Sequence, residues 1–147
     1  MDKLERYQLL LKQAQSLLEN EHDLIANMSN ISALLFNNLP NVSYAGFYRY
    51  QNHELILGPF QGPVACMHIA LGKGVCGTAA KTRETQIVPN VHEFAGHIAC
   101  DAATNSEIVI PIMKNEDLIA VLDLDSKVFA RFDDIDSEYL TKIANCI

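Results

Sequence analysis

The sequence predicts a single α+β domain, in which a mostly antiparallel central sheet carries packed helices and a lid covers a pocket. Two helical segments come first, and the strand-like segments after them are joined by short polar turns rather than by helices. Short turns connect antiparallel strands, whereas parallel strands need long crossovers. With 147 residues, 49% of them apolar, the chain suits one packed core, so we expect one domain over residues 1–147.

Two helices are predicted at the N-terminal end. Apolar residues recur at helical spacing over residues 4–18 and again over residues 24–39. The proline that follows ends the second segment, because proline has no backbone N–H and clashes with the preceding turn. A further helix is expected at residues 133–147, with Asp133 or Asp134 as its cap.

Strand periodicity begins after that proline. Residues 42–50 alternate between apolar and polar types, and a polar turn leads into a second strand at residues 54–57. Nearer the C-terminal end, the apolar runs 107–113 and 118–124 flank another polar turn. This pattern predicts a second hairpin.

The second hairpin brings three carboxylates together. Asp123 and Asp125 are two residues apart, so they share one strand face at a spacing of about 7 Å. If Lys114 pairs with Leu118, the ladder places Glu107 opposite Asp125 on that same face. A slip of one residue would turn Glu107 to the other face of the sheet.

Such packed carboxylates repel one another, and the pKa of some of them should rise unless a cation joins the group. A pocket of this kind suits an ammonium ligand, or a protonated carboxyl group that donates its proton to a substrate oxygen. The alternative is an exposed strand edge with solvated acids, and the sequence leaves both open.

Three of the four cysteines lie in segments that could line a pocket. Cys76 stands in the glycine-rich segment 72–77 at the start of a short predicted helix, where the helix N-terminus lowers a thiol pKa. Cys100 follows His97 by three residues, and an imidazolium there would favour the thiolate. Cys66 is expected on a strand. The alternative for each is a buried small apolar residue.

The pocket needs walls, and two segments can provide them. Residues 89–106 show no period but are apolar, which is typical of a lid rather than of a disordered loop. On the strand at residues 42–50, Tyr44 and Tyr48 share a face with Gly46 that lines either the pocket or the core.

Several classes of function are disfavoured. The net charge is −7 and the basic residues are scattered, which argues against nucleic acid and anionic membrane as partners. No apolar run reaches the ~20 residues of a membrane span, and the first residues resemble no signal peptide, so a cytoplasmic location is expected. Cys66 and His68, like His97 and Cys100, are residue types that bind zinc, but no pair of C-x-x-C units occurs, so a metal site is not expected.

Five separated motifs resemble, in the same order, those of the free methionine-R-sulfoxide reductases, which are stand-alone GAF-domain enzymes. The motifs are GPFQGP at 58–63, GKGVCG at 72–77, GHIACD at 96–101, SEIVIP at 106–111 and VLDLDS at 121–126. The resemblance covers essentially the whole chain and implies a GAF fold. It also implies reduction of free L-methionine-(R)-S-oxide to L-methionine.

The resemblance implies a role for each cysteine. Cys100 would attack the sulfoxide sulfur and become a sulfenic acid, Cys66 would resolve it as a disulfide, and Cys76 would be an auxiliary thiol. Thioredoxin would restore both thiols with electrons that come ultimately from NADPH, so no cofactor is implied. A homodimer stays open.

The resemblance also implies the residues that hold the substrate. The acids would bind the ammonium of the free amino acid, and backbone N–H groups near Cys100 would hold its carboxylate. The family has a tryptophan where this chain has Tyr44, a smaller ring. The substrate-binding residues implied are Glu107, Asp123, Asp125, Tyr44, Tyr48, Ile98 and Ala99.

Two other functions remain as alternatives. A ligand-sensing GAF module would bind a small effector without turnover and does not require three spaced thiols. A thiol redox switch would be oxidised and reduced reversibly but would show no saturable turnover of a substrate. Turnover of free methionine sulfoxide separates both from the reductase.

Overall fold

The structure is a computed structural model that describes residues 1–147, and it is built on one six-stranded sheet. All strand pairs are antiparallel, and the strand order is β3-β2-β1-β6-β5-β4. The helices are α1 Lys3–Leu18, α2 Leu24–Asn38, α3 Gly74–Thr82 and α4 Asp134–Ala144. The strands are β1 Tyr44–Gln51, β2 Glu54–Gln61, β3 His68–Ala70, β4 Gln86–Val88, β5 Ser106–Lys114 and β6 Asp117–Ser126. None of the four helices has the length and apolar character needed to cross a bilayer.

Aspartates begin three of the helices. Asp2 accepts a hydrogen bond from the backbone N–H of Glu5, and Asp23 accepts one from that of Ala26. Of the two candidate caps for the last helix, the structure selects Asp133, which caps α4. Each cap satisfies an N–H that has no partner within the helix, so the predicted starts are confirmed.

The sheet has two unlike faces, because side chains alternate along each strand. Helices α1, α2 and α4 cover one face and enclose the larger apolar core, to which β5 and β6 contribute Ile108, Ile110, Leu122 and Leu124. Helix α3 packs on the other face over a smaller apolar core. The irregular segment 89–105 follows β4 on this second side, so the pocket described below lies here.

The β5–β6 ladder contains a β-bulge that decides which face the acids occupy. Lys114 pairs with Asp117 and not with Leu118, so the predicted pairing at the turn is wrong. Beyond the turn the register shifts by one residue and leaves Ile119 unpaired, so that Glu107 does face Asp125. The predicted register at the acids is therefore confirmed, but it depends on a bulge that the sequence pattern did not reveal.

Two short edge strands and one loop differ from the prediction. β3 and β4 have three residues each, which is too short to show a period in sequence. Cys66 lies in the loop between β2 and β3 rather than on a strand. Just before Cys66, the chain turns away from the sheet at Gly62, which has a φ of 130°, and at Pro63, because neither residue continues a strand.

Candidate active site

A pocket opens on the α3 side of the sheet. It holds about 560 Å³ of empty space, including its open mouth. The floor is formed by β1, β5 and β6, and the walls by α3 and by segment 89–105. The lining residues used below are Tyr44, Tyr48, Val64, Cys76, His97, Ile98, Cys100, Asp101, Thr104, Glu107, Asp123 and Asp125.

Three carboxylates, here called the acidic trio, lie on the floor of this pocket: Glu107 from β5 and Asp123 and Asp125 from β6. Glu107 and Asp123 are 8% and 5% exposed, and no lysine, arginine or histidine forms an ion pair with any of the three. One oxygen of Asp123 and one of Asp125 are buried without a hydrogen-bond partner. The trio therefore offers buried negative charge and free acceptor atoms to whatever enters the pocket.

Burial raises the pKa of all three carboxyl groups. The pKa values of Glu107 and Asp125 lie well above the ordinary range, because burial disfavours the charged form and the Asp123 charge adds repulsion. The pKa of Asp123 is also raised, with burial as the largest cause. The trio therefore holds its protons to a higher pH than isolated carboxyl groups do.

Two tyrosines of β1 form the wall beside the trio. The Tyr44 hydroxyl is buried without a partner, and its ring stacks on Phe60 at 5.4 Å between centroids. Gly46 allows this stacking, because a Cβ at that position would collide with Phe60. The Tyr48 hydroxyl donates a hydrogen bond to the backbone oxygen of Cys66 at 2.9 Å. Both rings thus line the pocket, and Tyr48 also anchors the loop that carries Cys66.

Cys66 and Cys100 are joined in a disulfide, with their Cα atoms 5.5 Å apart. Both residues are half-buried, and Cys100 lines the pocket. His97 lines it as well, but burial lowers the His97 pKa, as does the neighbouring His92. The lowered pKa favours the neutral ring, so the imidazolium expected beside Cys100 is not supported.

Cys76 is buried beneath the acids rather than activated by its helix. Its Sγ lies 3.9 Å from Oε2 of Glu107. Burial raises the Cys76 pKa well above the ordinary value, and the charges of Asp123 and Glu107 raise it further. The lowering expected from the helix N-terminus is therefore wrong, because burial and two neighbouring acids outweigh the helix dipole.

One set of side chains has the spacing of metal ligands. Atoms of Cys76, Glu107 and Asp123 lie within 4.8 Å of one another, close enough to hold one divalent cation after small movements. The zinc ligands considered from sequence are placed differently, since Cys66 and Cys100 are disulfide-bonded and His68 contacts Glu54 at the surface.

Segment 89–105 forms the predicted pocket wall and is fixed to α3. The Gly74 N–H donates to the Gly96 oxygen at 3.1 Å, which ties the segment to the helix start. Ile98 lines the pocket, whereas Ala99 is exposed and lies outside the lining. The Cys100 N–H donates to the Ile98 oxygen, so it is already engaged.

Some lining residues are not among those predicted from the sequence. Thr104 has a buried hydroxyl without a partner, and Asp101 and Lys73 also line the pocket. Thr104 and Asp101 lie in the aperiodic segment, where no pattern indicates which side chains turn inward. A signal existed for Asp101, which belongs to the GHIACD motif, and for Lys73, which belongs to the GKGVCG motif.

Comparison with known proteins gives a consistent result. A family model described as GAF domain matches residues 25–147. The free methionine-R-sulfoxide reductase of Escherichia coli is 46% identical over 97% of this chain and 87% of its own length. The fRMsr of Staphylococcus aureus, solved in complex with substrate, is 56% identical with a TM-score of 0.91, covering 95% of this chain and 92% of that one. The Neisseria meningitidis free methionine-R-sulfoxide reductase, in complex with its substrate, is 39% identical with a TM-score of 0.96, covering 99% and 88%.

Proposed function

Since this chain belongs to the GAF domain family and, within it, to the free methionine-R-sulfoxide reductases, we propose that it reduces free methionine-(R)-sulfoxide through a sulfenic acid on Cys100 and a disulfide with Cys66. The observation that carries the mechanism is the placement of this disulfide at a pocket whose floor is a group of carboxylates without a cation.

The acidic trio selects the substrate. A free amino acid carries an ammonium group, whereas a methionine within a polypeptide does not. The buried, unpartnered oxygens of Asp123 and Asp125 accept hydrogen bonds from that ammonium. Their negative charge repays its desolvation, so a substrate without the ammonium leaves the acids unpaired and binds weakly.

The first step transfers an oxygen atom. The Cys100 thiolate attacks the sulfur of the sulfoxide, and the oxygen moves to Cys100 as the methionine sulfur is released. The methionine sulfur gains two electrons and the Cys100 sulfur loses two. Glu107, whose carboxyl group holds its proton because burial raises its pKa, donates that proton to the sulfoxide oxygen as the negative charge on the oxygen grows.

The second step closes the disulfide. The Cys66 thiolate attacks the sulfur of the Cys100 sulfenic acid, the S–S bond forms, and the hydroxyl leaves as water. The hydrogen bond from Tyr48 holds the backbone of Cys66 in place for this attack. Thioredoxin then transfers two electrons to the disulfide and restores both thiols.

Cys76 takes no part in these steps. A thiol whose pKa is raised by burial is a weak nucleophile, and Cys66 is paired with Cys100 in the structure. We assign Cys76 to the packing beneath Glu107.

The test is methionine release with thioredoxin, thioredoxin reductase and NADPH, measured in parallel on the free R epimer, the free S epimer and a peptide-bound sulfoxide. We expect turnover with the free R epimer alone. Cys100→Ser should release no methionine, and Cys66→Ser should release one equivalent and stop. Cys146→Ser is the matched control, because this free thiol lies far from the pocket.

Two outcomes would contradict the proposal. Equal single-turnover release by wild type and Cys100→Ser would remove Cys100 from the first step. Absence of turnover with every sulfoxide, while the thiols stay intact, would favour a ligand-sensing module instead.

A further inference from the structure

The surface around the Cys66–Cys100 disulfide is unusually apolar. Three of the eleven exposed large apolar side chains stand within two residues of its cysteines: Val64 at 88% exposure, Met67 at 69% and Ile98 at 40%. The two cysteines bring these segments together, since their Cα atoms are 5.5 Å apart. The remaining eight lie at the chain start, on α1, α2 and α4, and in the loop after β6.

We propose that Val64, Met67 and Ile98 form the docking surface for the protein dithiol that reduces the disulfide, and that this reductant attacks Cys66. The inference rests on the proposed function for the identity of the reductant, a dithiol of the thioredoxin class.

The disulfide itself determines what must cover this surface. A protein reductant has to bring a thiolate sulfur into bonding distance of one disulfide sulfur, so its surface touches the residues that flank that sulfur. Exposed apolar side chains beside the bond favour binding of a protein, because burying their apolar surface in an interface is energetically favourable. A small dithiol such as dithiothreitol reaches the bond without covering them.

The position of the two cysteines decides which sulfur is attacked. Cys100 lines the pocket, whereas Cys66 lies in the loop between the exposed Val64 and Met67. Thiol–disulfide exchange proceeds in line, with the attacking sulfur opposite the leaving one. Attack on Cys66 from outside therefore expels the Cys100 thiolate toward the pocket, where the next substrate needs it.

The exchange balances without a further reactant. The first thiolate of the reductant bonds to Cys66 and releases Cys100 as a thiolate, giving a mixed disulfide. The second thiol of the reductant attacks its own mixed-disulfide sulfur and releases Cys66. The reductant becomes a disulfide, and this chain gains two electrons and two protons.

Met67 allows a test that leaves the pocket intact, because its side chain does not line it. The oxidised protein is mixed with reduced thioredoxin, and the tryptophan fluorescence of thioredoxin is followed by stopped flow. This chain contains no tryptophan, so the signal belongs to the reductant. No sulfoxide is present, so a failure of the proposed activity does not affect the measurement.

We expect Met67→Ser to lower the second-order rate constant with thioredoxin about fivefold, which is typical of losing one apolar anchor at an interface. Met67→Leu should restore most of the rate. The rate with dithiothreitol should not change. Ile25→Ser is the matched control, because Ile25 is 47% exposed but lies on α2, across the sheet.

Three results would overturn the proposal. An unchanged thioredoxin rate in Met67→Ser would remove the residue from the interface, and equal slowing with dithiothreitol would assign the effect to the disulfide itself. A thioredoxin variant that lacks its second thiol traps the mixed disulfide, which should map to Cys66 by mass spectrometry. Mapping to Cys100 would reverse the assigned direction of attack.

Discussion

Two sites with buried acids in this molecule are built in opposite ways. On the side of α1 and α4, Asp136 is fully buried, and its carboxylate accepts hydrogen bonds from Lys3, Tyr7 and Arg131. We call these four residues the Asp136 cluster. On the α3 side, the acidic trio is buried with no cation and with unpartnered oxygens.

This difference distinguishes a structural acid, Asp136, from the acids of the candidate active site. Two cations and a hydroxyl satisfy Asp136, so its burial costs the fold little and ties α1 to α4. The trio has no ion-pair partner, and the fold bears the desolvation cost of its charge, which the ammonium of the proposed substrate would offset. In the proposed function, buried acids bind substrate only where the chain supplies no cation of its own.

The largest expected effect is the loss of the satisfied carboxylate. Asp136→Asn leaves Lys3 and Arg131 without their buried counter-charge and should lower the free energy of unfolding by about 3 kcal/mol. Urea unfolding measures it. Asp134→Asn is the matched control, since Asp134 is exposed on the same helix. A loss below about 1 kcal/mol would show that the cluster is not structural.

The corresponding change in the trio should act on catalysis instead. Glu107→Gln should reduce kcat/KM for free methionine-(R)-sulfoxide about a hundredfold, because the amide cannot donate a proton to the sulfoxide oxygen and general acid catalysis contributes about 10²–10⁴-fold. The free energy of unfolding should hold or rise, as one buried repulsion is removed. Glu116→Gln, in the exposed turn of the same hairpin, is the control. Destabilisation comparable to that of Asp136→Asn would erase the contrast.

Removing one hydroxyl from each group sharpens the comparison. Tyr7→Phe deletes a donor to Asp136 and should cost about 1.5 kcal/mol of unfolding free energy. Tyr44→Phe deletes a buried hydroxyl without a partner and should be neutral or stabilising. Thermal unfolding of the two variants gives the sign of each change. A loss in Tyr44→Phe equal to that in Tyr7→Phe would mean that the Tyr44 hydroxyl has a structural partner.

The smallest expected effect is a dependence of stability on pH. The folded pKa values of Glu107 and Asp125 are raised, so above about pH 4 the native state keeps protons that the unfolded chain releases. The unfolding free energy should therefore fall as the pH rises from about 5 to 7. The Glu107→Gln/Asp125→Asn double variant should lose less over the same range. Equal slopes in the two proteins would contradict the raised pKa values.

The affinity for the substrate should change in the opposite direction over the same range. Deprotonation of the trio creates the charge that binds an ammonium, so Cys100→Ser protein should bind free methionine sulfoxide more tightly as the pH rises. N-acetylated methionine sulfoxide has no ammonium and should show no such trend. Calorimetric titration at several pH values measures both ligands, and parallel trends would exclude the trio as the ammonium site.

The local part of this architecture could be predicted from sequence. Helical spacing and the aspartate cap of α4 are matters of short range, and the structure confirms them. The pairing of Glu107 with Asp125 is confirmed as well, although it depends on a bulge that the sequence pattern does not reveal. The Asp136 cluster could not be predicted, because Lys3 and Arg131 meet only after the whole sheet has formed.

The pKa of Cys76, the register of the β5–β6 turn and the position of Cys66 depend on contacts that the local sequence does not show. The glycine-rich segment suggested a helix dipole acting on Cys76, whereas burial and acids from distant strands decide its pKa. The predicted pairing at the β5–β6 turn is one residue out of register, and the bulge that leaves Ile119 unpaired restores the predicted register at Glu107 and Asp125. Cys66 was expected on a strand but lies in a loop, whose exposed apolar side chains suit the proposed docking.

The disulfide also makes the stability of the protein against unfolding depend on its redox state. Cys66 and Cys100 are 34 residues apart in sequence, and closing a loop of that length restricts the unfolded chain by roughly 4 kcal/mol. Oxidation of the two cysteines thus raises the free energy of unfolding, and reduction lowers it again. When reductant is scarce, the population would accumulate in the form that turns over no substrate and best withstands heat and proteolysis. The oxidised enzyme would thus stay folded until a reductant reopens the disulfide.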